Sequence, residues 1–192
     1  LQSLQKNQSD GIEMEYNTFQ WKGLLIKRLI HENGFNRYLE LGVSNGETWQ
    51  HIQCCKVGVD CNAVMPNIVK STTDAFFANN SQVFDLIFID ALHEKHQVLK
   101  DFTNSVKCVS TNGMIILHDV YPQSHEHVNS NSTGDCFAFW MKLVNLYPLN
   151  TKTILNAHKN DAVGIFLMHN LSSLPKIEDF GEMDYSFDEF RD

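Results

Sequence analysis

The chain has 192 residues, 43% of them hydrophobic and 20% charged, and carries a net charge of −8. That length and apolar content suit one domain with a full core, and no apolar run approaches the roughly 18 residues of a membrane-spanning helix. No basic block is present, which argues against a nucleic-acid backbone as the main partner.

The opening LQSLQKNQSD is polar and lacks a signal-peptide pattern. A helix is expected over about residues 17–32, where Trp21, Leu24, Leu25, Arg28 and Leu29 recur in a helical rhythm and Gly34 ends the segment. Tyr38, Leu39 and Leu41 then form a first strand, Arg37 to Gly42, which runs straight into Gly42-Val43-Ser44-Asn45-Gly46. A short helix is expected over Glu47 to Gln53. A strand, a glycine turn and a helix N-terminus make a backbone cradle for a small polar ligand. Glu40 stands two residues before the first glycine.

Lys56 to Asp60 reads as a second strand ending in an acid, and Ile68 to Lys70 as a brief third. Thr73 and Asp74 look like the cap of a helix over Ala75 to Asn79. Phe84 to Asp90 is a strongly apolar fourth strand. Helix Glu94 to Val109 carries Val98, Leu99, Phe102 and Val106 on one face, and Gly113 to Asp119 is the fifth strand. A polar loop, Tyr121 to Gly134, leads to a helix Cys136 to Leu146 capped by Asp135. Strands Thr151 to Asn156 and Ala162 to Met168 close the pattern, with a hairpin turn at His158-Lys159-Asn160-Asp161.

Alternating strands and helices of this kind predict an α/β fold: a doubly wound, Rossmann-like, seven-stranded, mostly parallel sheet with a C-terminal antiparallel hairpin. The domain is expected over residues 1–170, followed by an acidic tail, 171–192. That tail holds seven acids against Lys176 and Arg191, yet also Phe180, Tyr185, Phe187 and Phe190. Those rings are too many for a solvated segment. They are expected to pack, either over a substrate pocket or at a subunit contact such as that of a homodimer. Cys54, Cys55, Cys61, Cys108 and Cys136 are odd in number and form no Cys-x-x-Cys pair, so free thiols in a reducing compartment, the cytoplasm, are expected.

In open α/β sheets the ligand lies beyond the carboxyl ends of the strands. Here those ends carry Glu40, Asp60, Thr73 with Asp74, Asp90, and His118 with Asp119. A core strand has no structural need for an acid at its end. Asp60 can accept both hydroxyls of a ribose, or cap the turn at Asn62. Thr73 and Asp74 can contact an adenine edge, cap the following helix, or do both.

The spacing Glu40-x-Gly42-x-x-x-Gly46 resembles the first motif of the class I S-adenosylmethionine-dependent methyltransferases. FDLIFIDALHEKHQVLKDF and GMIILHDVYP resemble the fourth- and fifth-strand regions of the group related to the catechol-type O-methyltransferases. TTDAFFANN, TGDCFAFWMKL and DAVGIFL match other parts of the same group. The resemblance implies a cofactor, S-adenosylmethionine, held by Glu40, Gly42, Ser44, Asn45, Gly46, Asp60, Thr73, Asp74 and Asp90. It also implies a divalent metal, Mg or Mn, on Asp90, His118 and Asp119, positions where the family has an Asp and an Asp-Asn pair. An imidazole in that set suits Mn²⁺, Zn²⁺ or Fe²⁺ better than Mg²⁺. The family's catalytic lysine, three residues after the fourth-strand Asp, is His93 here. A histidine suits proton removal near neutral pH; alternatively it bonds Asp90 or backbone at the helix start. His118 is a ligand or a partner that orients Asp119.

The implied reaction is methyl transfer to a hydroxyl of a small molecule or a sugar or glycan, catalysed by His93 and Asp90. A nucleotide-binding dehydrogenase would want Gly-x-Gly-x-x-Gly, which is absent. An RNA-cap 2′-O-methyltransferase would add lysines, with Lys27 and Lys142 as candidates, and a glutamate that GIFLMHN lacks. A non-catalytic binding module on the same fold is the remaining alternative, opposed by the intact glycine loop and strand-end acids.

Overall fold

The computed structural model describes residues 20–128, 132–156 and 161–191. Helix α1 (Trp21–Asn33) leads to β1 (Arg37–Leu41), β2 (Cys55–Asp60) and β3 (Val69–Lys70). Then come α2 (Thr73–Asn79), β4 (Phe84–Ile89), α3 (Lys95–Cys108) and β5 (Val109–Leu117). Helix α4 (Cys136–Leu146), β6 (Thr151–Asn156), β7 (Asp161–Leu167) and a short α5 (Phe187–Arg191) complete the order. The strands form one seven-stranded sheet, β3-β2-β1-β4-β5-β7-β6. Pairing is parallel from β3 to β5 and antiparallel from β5 through β7 to β6. This is the doubly wound sheet with a terminal hairpin that the strand and helix signals predict.

Side-chain alternation along the strands sorts the core into two layers. Leu39, Leu41, Ile87, Ile89, Ile115, Leu117 and Phe166 pack with Leu99, Phe102 and Phe139 of α3 and α4. Tyr38, Leu86, Phe88, Ile116, Val163 and Ile165 pack with Ile26 of α1 and with Trp49 and Ile52. The sheet is covered on both faces, so β4 is apolar from Leu86 to Ile89, with Asp85 at its start.

Four local expectations change. Glu47 to Gln53 makes only a 3₁₀ turn, Trp49–His51, because so short a segment has little helical stability of its own. Trp49 and Ile52 are instead drawn into the core. The cap of α2 is Thr72, whose Oγ1 accepts from the Ala75 amide at 3.2 Å, and Asp74 lies in the first turn. Asp135 makes no cap bond to α4; its Oδ1 accepts from the Lys95 amide at 2.6 Å and so caps α3. Strand β5 starts at Val109, directly after α3. Of the expected hairpin turn, residues 158–160 lie outside the described residues, and Asp161 belongs to β7.

The acidic tail packs through its apolar residues. Phe180 and Met183 are fully buried, with the Phe180 ring 5.3 Å from Phe139 and 6.1 Å from Phe102. Phe190 lies against Tyr121 and Phe137, and Phe187 against His125. Among the described residues no helix is long and apolar enough to cross a membrane.

Candidate active site

Strand order reverses between β1 and β4, and a cleft of about 840 Å³ opens beyond their carboxyl ends. Glu40, Gly42, Ser44, Asn45, Asp60, Thr73, Asp74, Asp90, His93, His118 and Asp119 all line it. The glycine loop forms its floor. Gly42 has φ +86°, and a Cβ there would lie 2.0 Å from the Asp90 carbonyl oxygen, so only glycine fits. Gly46, also at positive φ, donates its amide to the Val43 carbonyl at 2.9 Å and closes the loop.

Asp60 ties that loop to β2. Its Oδ2 accepts from the Ser44 amide and its Oδ1 from the Asn62 amide, both at 2.7 Å. The turn-capping role therefore exists in the structure. An ionised carboxylate has further acceptor capacity on each oxygen. Glu40 is buried beneath the loop, where its Oε2 accepts from the Tyr38 hydroxyl at 2.8 Å. Burial pushes its carboxyl up to about 8, against the opposing pull of the Tyr38 bond.

At the other end of the cleft six charged side chains meet. Asp90 Oδ2 receives the Lys22 ammonium at 3.1 Å. The His118 Nδ1 lies 3.1 Å from Asp90 Oδ1 and 3.0 Å from Asp119 Oδ2, and its Nε2 lies 3.1 Å from Asp161 Oδ1. Asp161 Oδ2 also accepts from the Trp21 indole N–H at 2.9 Å. Burial opposes charge on Asp90, but His118 and Lys22 outweigh it and hold the carboxyl well below the usual range. Burial likewise opposes charge on His118, and Asp90, Asp119 and Asp161 outweigh it and raise the imidazole well above its usual value. Both ring nitrogens of His118 face carboxylates, which is the environment of an imidazolium.

His93 is held from two sides. Its Nδ1–H donates to the Ser132 carbonyl, which can only accept, so Nε2 is the nitrogen turned inward. That Nε2 lies 2.9 Å from Asp119 Oδ2 and 3.7 Å from Asp90 Oδ1. Contact with Asp119, then with Asp90, raises the ring to about 10. Gly134 presses the loop onto this residue: at φ +58° its absent Cβ would stand 1.8 Å from the His93 carbonyl oxygen.

Ligating atoms of Asp90, His93 and Asp119 lie within 4.8 Å of one another, a set that can hold a divalent cation. The buried Asp119 Oδ2 has no aligned hydrogen-bond donor despite its nearby imidazoles, as an atom reserved for a cation would. His118, expected among the ligands, spends both nitrogens on carboxylates, and His93 takes its place in the converging set.

Lys22, Gln97, Asp161 and Ser132 join the site beyond the residues expected from the sequence. Only Asp161 left a signal. Residues 161, 163 and 165 share one face of β7, and a strand running antiparallel brings its first residue, not its last, to the sheet end where β4 and β5 finish, behind His118. Lys27 and Lys142 do not line the cleft.

A seven-stranded sheet with the β5-β7-β6 antiparallel end and a cleft at the β1/β4 switch is the class I methyltransferase fold. Residues 44–120 match the family model of a methyltransferase domain. The O-methyltransferase from Bacillus cereus in complex with SAH is 14% identical, with TM-score 0.57 over 76% of this chain and 80% of that one. TomG from Streptomyces achromogenes, an O-methyltransferase of tomaymycin synthesis bound to SAM, is 15% identical, with TM-score 0.57 over 78% and 80%. MycE, solved with Mg, SAH and mycinamycin VI, is 15% identical, with TM-score 0.54 over 80% of this chain and 51% of its own. No curated protein matches the sequence. The chain thus has the class I methyltransferase fold, shared with O-methyltransferases solved with SAH and SAM, and its central segment matches a methyltransferase-domain family model.

Proposed function

We propose that the protein transfers the methyl group of S-adenosylmethionine to a hydroxyl of a small polyhydroxylated molecule or glycan. The observation that carries this reading is His93. It is fixed by the Ser132 carbonyl and turns its other nitrogen to the Asp90–Asp119 pair at the end of a cofactor-sized cleft.

Displacement at a sulfonium methyl has a good leaving group, so alignment and proton removal are the work left to the protein. His93 Nε2, once it has released its own proton, takes the proton of the acceptor hydroxyl, a step that contributes on the order of 10²–10⁴-fold. Asp90 and Asp119 hold the imidazole in place and stabilise its charge. A divalent cation on Asp90 and Asp119 would supply Lewis acidity that lowers the hydroxyl pKa; a cation that also took His93 Nε2 would act in place of the base, because one lone pair cannot serve both.

Among the described residues no Phe, Tyr or Trp lines the cleft, and its acceptor end is walled by Lys22, His93, His118, Asp119 and Ser132. Such a wall suits a hydroxylated acceptor better than a flat apolar ring. The cysteines are all free, which supports the cytoplasm as the compartment.

The first test is calorimetry with S-adenosylhomocysteine; an absence of binding would overturn the reading. The second measures methyl transfer to a panel of sugars and catechols, with and without excess EDTA. Chelation is expected to stop transfer while sparing cofactor binding. Full turnover in EDTA would remove the cation and leave His93 and positioning as the source of catalysis.

A further inference from the structure

Beyond Asp60 the cleft ends at Thr73, Asp74 and one residue of α3, Gln97. The Gln97 Nε2 lies 3.2 Å from Thr73 Oγ1, 3.2 Å from Asp74 Oδ1 and 3.1 Å from Asp101 Oδ1. Asp101 is fully buried. Two of the three neighbours of the amide nitrogen are therefore carboxylate oxygens. Turning the amide over would place its carbonyl oxygen against them, oxygen to oxygen, so the network fixes which end faces inward.

The amide is planar, so Oε1 points away from this triad. None of the described residues donates a hydrogen bond to it, and Gln97 lines the cleft. The side chain offers the ligand a lone acceptor at a fixed place. Asp74, the residue that the sequence singles out for the adenine edge, has contacts on both oxygens and, as a carboxylate, keeps further acceptor capacity, so the two residues are told apart by experiment. Its Oδ1 accepts from Gln97, and its Oδ2 faces Lys100 at 4.0 Å.

We infer that Gln97 reads the base of the cofactor: its Oε1 accepts from the exocyclic amine of adenine, and buried Asp101 holds the amide in that orientation. The inference rests on the S-adenosylmethionine reading of the cleft. A carbonyl oxygen accepts and cannot donate. Adenine presents a donor at that position, whereas hypoxanthine presents a carbonyl oxygen. An inosyl analogue would leave two acceptors facing each other without a hydrogen between them. Gln97 is a specificity-determining residue for the nucleobase, and Asp101 acts through it as a positioning residue.

The experiment compares S-adenosylhomocysteine with S-inosylhomocysteine by calorimetry. The wild-type chain binds the adenosyl form about 10- to 100-fold more tightly, the range of one hydrogen bond in a partly open site. Gln97→Met keeps the length and removes the acceptor, and the ratio falls to near unity. Asp101→Asn lowers the ratio less, because it loosens the amide without removing it. The ratio is internal to each variant, so a general loss of stability does not mimic the result. An unchanged ratio in Gln97→Met overturns the inference. So does a ratio that collapses in Asp74→Asn while Gln97→Met keeps it. Failure of the wild-type chain to bind either compound overturns the cofactor reading itself, a distinct outcome.

Discussion

Asp161, the first residue of β7, stands 3.1 Å from the Nε2 of His118, the first residue after β5. That contact joins the closing hairpin to the carboxylates of the parallel strands, because the Nδ1 of the same ring reaches Asp90 and Asp119. Asp161 does not line the cleft. Replacing it should therefore disturb chemistry more than cofactor binding.

Asp161→Asn is expected to lower turnover about 10- to 100-fold, the usual cost of removing a group that orients a site residue. Affinity for S-adenosylhomocysteine should stay within a small factor of wild type. Parallel measurement of turnover and calorimetric affinity checks this. An equal loss in both would mean that Asp161 shapes the whole cleft.

His93 sets a pH dependence whose sign is fixed by its raised value, about 10 against 6.5 for a free ring. A group that holds its proton more tightly when folded stabilises the fold fully below 6.5, and that contribution fades as pH rises through about 10. The melting-temperature gap between wild type and His93→Ala should be widest at mildly acidic pH and close towards pH 10. On the proposal that His93 is the base, kcat/KM should climb in the same window, because the ring must first lose its own proton. A gap that does not vary with pH would place the stabilising proton elsewhere.

Phe180 lies in the tail, yet it is fully buried against Phe102 and Phe139. Phe180→Ala should cost about 3–5 kcal/mol, as for other fully buried rings. Urea unfolding measures it. A change below about 1 kcal/mol, the scale of surface substitutions, would show that the tail is dispensable to the core.

Two glycines give a matched comparison. Gly34 has φ +65° with open space where a Cβ would be, so Gly34→Ala should cost only the roughly 1–2 kcal/mol of left-handed backbone. Gly42 has φ +86°, and its Cβ would strike the Asp90 carbonyl oxygen at 2.0 Å. Gly42→Ala should cost more in stability and also displace Asp90, so cofactor affinity falls in that variant alone. Thermal melts and calorimetry on the pair decide the point.

Much of this arrangement can be read from the chain because a strand has a period of two. Tyr38, Phe88 and Ile116 face α1, so Glu40, Asp90 and His118, two residues further on, face the same way at the strand ends. The residues that escaped have no such rule behind them. Lys22 reaches Asp90 because α1 crosses the sheet at one particular angle, and helix periodicity does not encode a crossing angle. The Ser132 carbonyl is a backbone group, and no side-chain pattern announces it. The segment after Gly46 shows the converse failure, since turn and helix look alike over so few residues and packing of Trp49 and Ile52 decides.

The placement of Asp161 has a consequence for assembly. Residues 44–120 contain Asp90, His93, His118 and Asp119, and a fragment confined to them would look chemically equipped. It would lack Trp21 and Lys22 from one flank and Asp161 from the other, and so two of the six charges that balance in the cluster. The ribosome delivers Lys22 early and Asp161 about 140 residues later. Until the last hairpin adds itself to the sheet edge, His118 has carboxylates on one side only. Completion of the hairpin and completion of the charged cluster are therefore a single event.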